Sequence, residues 1–133
     1  MDSYDKASES ADDYLKTIYI LSRDNTQPVR VTDIARSMSY TKASVSRAVR
    51  NLLFDGKISL TPNKRVLLTP KGLSEAKDIY EKNVFFKSIL IQAGVDEKTA
   101  EDEACKMEHA LCVDSFKKLK SHLRDDLKDC GGQ

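Results

Sequence analysis

Apolar positions recur at helical spacing through most of this chain. Tyr14, Ile18 and Leu21 lie three or four residues apart and predict an amphipathic helix from Ser10 to Arg23 and Asp24, after a frayed start and before a turn at Asn25 to Pro28. Val31 to Met38 reads as a short helix with Thr32 as its cap and Ile34, Ala35 and Met38 inward. After a break at Ser39-Tyr40, Thr41 caps a further helix from Lys42 to about Asp55, with Val45, Val49 and Leu52 as its inner stripe, Ala48 beside them, and Gly56 as C-cap. The period then changes. Ile58–Leu60 and Val66–Leu68 are short strand candidates joined by Thr61-Pro62-Asn63-Lys64-Arg65, a hairpin with a basic tip. Thr69-Pro70 opens a long helix to about Ala93, with Leu73, Ala76, Ile79, Tyr80, Val84, Phe86 and Leu90 as its apolar positions and Gly94 as its stop. Asp96 caps a helix from Glu97 to about Cys112, and Phe116, Leu119, Leu123 and Leu127 mark a last amphipathic helix.

Two short helices joined by a tight turn and followed by a hairpin make a winged helix-turn-helix, in which the second helix enters the major groove of DNA and the wing lies against phosphate or minor groove. The expected architecture is mainly α: a flexible tail over 1–9, a winged helix-turn-helix domain over 10–72, a helical domain over 73–128 and a second flexible tail over 129–133. The long helix carries more apolar surface than a small winged helix needs. That surplus predicts a homodimer, which suits a palindromic operator. The chain has no internal repeat and no low-complexity segment.

Composition alone changes little: 133 residues, 40% hydrophobic, 32% charged, net charge +1. The distribution of that charge changes more. Residues 28–72 hold nine basic side chains against Asp33 and Asp55, a net +7, while residues 1–27 and 73–133 each come to −3. A basic block between acidic flanks is the footprint of a phosphate-binding module. Arg30, Thr41, Lys42, Ser44, Ser46, Arg47 and Arg50 are the candidate contacts around the second helix, with Lys64 and Arg65 in the wing. Arg47 is the candidate reader of guanine, whose O6 and N7 a guanidinium binds together. No apolar run approaches a membrane span, and the first residues, MDSYDKASES, lack a signal peptide's pattern, so a cytoplasmic protein without a membrane partner is expected. Cys105, Cys112 and Cys130 are odd in number, which favours free thiols or metal thiolates over a disulfide framework.

The candidate chemistry is concentrated in Cys105-Lys106-Met107-Glu108-His109. On a continuous helix, positions i, i+3 and i+4 share one face, so a sulfur, a carboxylate and an imidazole converge there. With a fourth ligand this set suits a transition metal. Read without a metal, Cys105 is a small buried hydrophobe or an oxidisable thiol, the latter giving a redox-responsive or metal-independent regulator. Cys112 reads as core, and His122 as surface. The chain has neither a phosphate loop nor a nucleophile elbow, so neither an enzyme nor a small organic substrate is expected.

From Ser10 to Leu127 the chain resembles the diphtheria-toxin-repressor and manganese-transport-regulator family of metal-dependent repressors. The likeness rests on Asp13-Tyr14-Leu15-Lys16-Thr17-Ile18-Tyr19, on Val31-Thr32-Asp33-Ile34-Ala35 and Ser44-Val45-Ser46, and on Leu68-Thr69-Pro70-Lys71-Gly72. Most specific is Asp102-Glu103-Ala104-Cys105-Lys106-Met107-Glu108-His109, which matches the toxin-repressor pattern D-E-A-C-x-x-E-H. The resemblance implies that Cys105, Glu108 and His109 bind metal. It also implies Asp13 as a fourth ligand, by likeness to the manganese branch, which has Glu at the Cys105 position; the chain thus mixes features of both branches.

The departures narrow that expectation. A family histidine ligand falls on Asn83, a second carboxylate of the manganese branch on Lys16, an ancillary glutamate on Lys87 and an ancillary histidine on Glu101. The resemblance therefore implies one divalent metal per subunit, Fe2+ or Mn2+ as effector with Zn2+, Co2+, Ni2+ or Cd2+ also able to bind, and leaves Asn83 and Glu101 as minor candidates. The chain stops where the toxin-repressor branch continues into a small barrel, so the shorter architecture is expected.

Overall fold

A computed structural model describes the backbone of residues 6–24 and 27–131 and the side chains of 11–24 and 27–123. It divides into two compact units, Met1–Lys77 and Asp78–Gln133. The elements in order are α1 (Lys6–Asp24), α2 (Val31–Met38), α3 (Lys42–Phe54), β1 (Ile58–Leu60), β2 (Val66–Leu68), α4 (Pro70–Gln92), α5 (Glu97–Met107) and α6 (Val113–Gly131).

In the first unit, α1, α2 and α3 enclose a core whose most buried members are Leu15, Ile18, Val29, Ile34, Val45, Leu52, Ile58 and Val66. The expected stripes Ile34 and Val45, Val49, Leu52 all face it. β1 and β2 pair antiparallel with Ile58 opposite Leu68 and Leu60 opposite Val66. The segment before α2 joins them, because Val29 bridges Val66, whose N–H donates to the Val29 carbonyl at 2.7 Å. Thr41 caps α3 by accepting from the Ser44 N–H at 3.1 Å. Thr69 Oγ1 likewise accepts from the Gly72 N–H at 3.1 Å, and donates to the Gly56 carbonyl at 2.7 Å. That last bond ties the start of α4 to the turn that follows α3. Lys57 passes so near α4 that a Cβ on Gly72 would stand 1.8 Å from its carbonyl oxygen.

In the second unit, Phe86, Ala104 and Phe116 form the buried centre, with Phe85, Leu111 and Leu119 packed around them. The rings of Phe85 and Phe116 meet edge to face at a centroid separation of 5.4 Å, an arrangement favoured by their quadrupoles. Asp96 caps α5 by accepting from the Thr99 N–H at 3.1 Å, which holds its carboxyl below the usual range. Among the described residues, no helix is long and apolar enough to cross a membrane.

Several expectations need correction. α1 begins at Lys6, four residues before the start expected at Ser10; residues 1–5 lie outside the described residues. Thr32 does not cap α2: Arg30 holds the cap position, and its N–H donates to Asp33 Oδ2 at 3.0 Å. α6 runs through to Gly131, beyond the expected tail boundary, while the side chains of Leu127 and Cys130 lie outside the described residues. α5 ends at Met107, five residues before its expected end at Cys112. Cys112 instead occupies the position before α6, exposed, with its Sγ accepting from the Ser115 N–H at 3.5 Å. Cys112 is therefore a helix cap and not core, and the bonds from the Ser115 side chain and backbone lower its thiol pKa.

Candidate DNA-binding surface and metal centre

α3 is a polar face laid over an apolar stripe. Val45, Val49 and Leu52 turn inward, which leaves Thr41, Lys42, Ser44, Arg47 and Arg50 exposed and Ser46 half-buried. Thr41 and Ser44 are tied into the cap, Thr41 Oγ1 donating to Ser44 Oγ at 3.0 Å. Lys42, Arg47 and Arg50 are the solvent-exposed cations of this helix. Arg30 is exposed at the start of α2. In the wing, Lys64 stands exposed at the turn with a left-handed backbone, φ +62°. Arg65 is different. It is half-buried and Nη1 donates to the Pro28 carbonyl at 2.8 Å, which fastens the wing to the strand-like segment before α2. Sequence reasoning gave Arg65 a contact with DNA and missed this bond, because nothing local links residues 28 and 65.

The candidate metal-ligand segment departs from the continuous helix expected for it. Cys105 lies in the last turn of α5, Glu108 is its C-cap with φ −63° and ψ −24°, and His109 lies in the turn beyond. Glu108 N–H still donates to the Ala104 carbonyl at 2.9 Å, but His109 and Ala110 donate three residues back, to Lys106 and Met107 at 3.3 and 3.0 Å. Tightening to this spacing ends the helix. No glycine or proline marks the stop, which is why the sequence hid it.

Within this segment Lys106 and Met107 are exposed, while Glu108 and His109 are withdrawn from water. Glu108 is 2% exposed as a residue, and its Oε2 lies 3.4 Å from His109 Nε2, with 6% of the His109 side chain exposed. Cys105 is half-buried and its Sγ accepts from Asn83 Nδ2 of α4 at 3.6 Å. The neighbouring Lys82 is buried and its Nζ donates to the Leu111 carbonyl at 2.7 Å. Two successive residues of α4 thus hold the chain on either side of Glu108 and His109. The donor set fits a transition metal: a thiol, a carboxylate and an imidazole, the last two withdrawn from water, where charge is costly unless compensated.

The remaining candidates are distributed as follows. Asp13 is half-buried on α1 of the first unit, and Lys16, one turn further on, is buried. Glu101 is exposed and faces Lys87, whose Nζ stands 3.6 Å from Glu101 Oε1 and 3.9 Å from Glu97 Oε2. Lys82 was not picked out from sequence. A lysine on an amphipathic helix ordinarily reads as solvent-facing, and only the neighbouring loop makes this one a buried donor.

Fold and site together define a winged-helix transcription regulator joined to a helical unit that carries transition-metal donors. Residues 6–66 match the N-terminal DNA-binding domain of the iron-dependent repressors, and residues 69–132 match their metal-binding and dimerisation domain. The chain belongs to the iron-dependent repressor family, that of the diphtheria toxin repressor and the manganese regulators. It is 37% identical over 114 residues to an uncharacterized HTH-type transcriptional regulator of Methanocaldococcus jannaschii, an alignment covering 85% of this chain and 91% of the relative. It is 30% identical over 113 residues to the diphtheria toxin repressor of Corynebacterium glutamicum, covering 84% of this chain and 49% of that one. Among solved structures, the metal-dependent transcriptional regulator MtsR superposes with a TM-score of 0.75 at 26% identity, covering 86% of this chain and 53% of that one. The chain thus spans about half the length of the toxin repressor and of this structural relative, and nine tenths of the methanogen's regulator.

Proposed function

We propose that this chain is a metal-dependent DNA-binding repressor of metal-homeostasis genes that takes one divalent transition metal per subunit as corepressor and acts as a homodimer on a palindromic operator. The observation that carries the reading is the closed Glu108 and His109 pair next to Cys105, in a chain whose α3 presents Lys42, Arg47 and Arg50 to solvent. Cys105, Glu108 and His109 are the ligands from the second unit, and Asp13 joins them on the strength of the sequence resemblance. Lys87 supports a single ion, because an ammonium already stands beside Glu97 and Glu101, where a second cation would be repelled. Fe2+ or Mn2+ is the proposed effector.

These four side chains would together hold the metal, whose charge they would share. Asp13 belongs to the DNA-reading unit and the other three ligands do not. Ligand affinity that differs between arrangements then selects the DNA-competent one. Driving such an equilibrium from 1:99 to 99:1 takes about 5.5 kcal/mol of differential affinity. On the operator, Arg47 binds guanine O6 and N7, Thr41 and Ser46 lie near the phosphates, and Lys64 contacts the backbone from the wing. The test is metal analysis of the purified protein together with gel shifts across a panel of divalent ions, in reductant. One equivalent of metal per subunit and a metal-dependent shift are expected. A shift in chelator that does not change when metal is added, but does change when the reductant is replaced by an oxidant, overturns the proposal in favour of a thiol switch.

A further inference from the structure

We propose that Asn83 is a specificity-determining residue for the metal: its amide, donating to Cys105 Sγ, moves the site's preference away from thiolate-seeking ions and toward Mn2+ and Fe2+. The inference rests on the proposed ligation by Cys105. Asn83 Nδ2 lies 3.6 Å from the sulfur, on α4 across from α5, and both side chains are half-buried. The helix that carries the amide is anchored on both sides of it, since the adjoining Lys82 donates to the Leu111 carbonyl at 2.7 Å and Phe86, one turn further along α4, is 4% exposed in the core.

An N–H donor aimed at sulfur withdraws electron density from it. The sulfur then forms weaker covalent bonds to metal. Ions whose preference depends on thiolate covalency, Zn2+ and Co2+ among them, lose more by this than Mn2+, whose bonding is more nearly ionic. Asn83 therefore lets a site containing a cysteine serve an ion that ordinarily prefers oxygen. With its Nδ2 turned to the sulfur, the side chain acts on the ligand next to it.

The test replaces the donor at nearly constant volume, Asn83→Leu, with Asn83→Gln as the variant that keeps an amide. Each is titrated with Co2+ and with Mn2+ in reductant, on a Cys112→Ser, Cys130→Ser background so that Cys105 is the sole thiol. The readouts are the energy of the sulfur-to-cobalt charge-transfer band and the ratio of the two affinities. For Asn83→Leu the band moves to lower energy and the Co2+/Mn2+ affinity ratio rises roughly three- to ten-fold, the scale of one hydrogen bond. Asn83→Gln stays nearer the wild type in both. If affinity for both ions falls equally and the band keeps its energy, Asn83 is only structural and the inference fails. Absence of the band in the wild-type background would instead overturn ligation by Cys105, and the inference with it. Circular dichroism of each metal-free variant confirms folding, and Asn83→Ala replaces Asn83→Leu if the latter loses helix.

Discussion

Gly72→Ala tests the packing of the DNA-reading unit, and its sign separates two physical arguments. By helix propensity, alanine in the first turn of α4 stabilises by up to about 1 kcal/mol over glycine. The structure predicts the reverse. The added Cβ stands 1.8 Å from the Lys57 carbonyl oxygen and 2.8 Å from its carbon, and both are backbone atoms that no rotamer change removes. Bringing 1.8 Å out to 3.0 Å requires a displacement of 1.2 Å. That movement strains three bonds at the joint: Thr69 N–H to the Lys57 carbonyl at 3.1 Å, Thr69 Oγ1 to the Gly56 carbonyl at 2.7 Å and Gly72 N–H to Thr69 Oγ1 at 3.1 Å. With overpacking at about 2 kcal/mol, the three weakened bonds together at about 1–2 kcal/mol and the propensity gain of about 1 kcal/mol subtracted, the net loss is about 2–3 kcal/mol. At about 3–5 °C per kcal/mol for a chain of this size, Tm falls by roughly 6–15 °C. Thermal unfolding of the metal-free protein followed by circular dichroism is the assay. An unchanged or raised Tm refutes the close approach of Lys57 to α4.

Three further outcomes are expected. Arg47→Ala weakens operator binding by about 1–3 kcal/mol and relaxes its sequence preference, whereas Lys64→Ala weakens operator and random DNA alike; equal losses on both DNAs for Arg47→Ala sink its role as a base reader. Cys105→Glu shifts the site toward oxygen-preferring ions, and competition binding that leaves the Mn2+/Zn2+ affinity ratio unchanged removes Cys105 from the ligand set. Asp96 has its folded pKa depressed, first by the Thr99 backbone N–H and then by the Thr99 hydroxyl, so its capping contribution is full above the unfolded carboxylate range and fades as pH falls through the lowered value. Asp96→Asn should flatten that part of the acid limb of a pH-stability curve, and identical limbs for the two proteins count against it.

Where local chemistry decides the structure, the sequence was readable. The stripe Val45, Val49, Leu52, the Thr41 and Asp96 caps and the two wing strands all depend on residues within a few positions of one another, and each lies where periodicity and capping put it. What stayed hidden are bonds between residues distant along the chain: Arg65 to the Pro28 carbonyl spans 37 positions and Lys82 to the Leu111 carbonyl spans 29, so no local pattern shows either. The stop of α5 lacks glycine or proline and is followed by a cysteine cap, a residue seldom found in that role, so the ligand segment read as unbroken helix. Within the candidate site the residue types were legible from spacing. The closed pairing of Glu108 with His109 and the amide donated by Asn83 needed three dimensions.

The measurement closest to the central claim is the affinity of the wild type and of His109→Ala for DNA selected by the protein from a random pool, followed by fluorescence anisotropy in reductant. It is made first with chelator and then with Fe2+ or Mn2+ in anaerobic buffer. The wild type should bind at least about ten-fold more tightly when metal is present, within the range of known allosteric couplings, and His109→Ala should lose that difference. Equal wild-type affinity in chelator and in metal contradicts that claim.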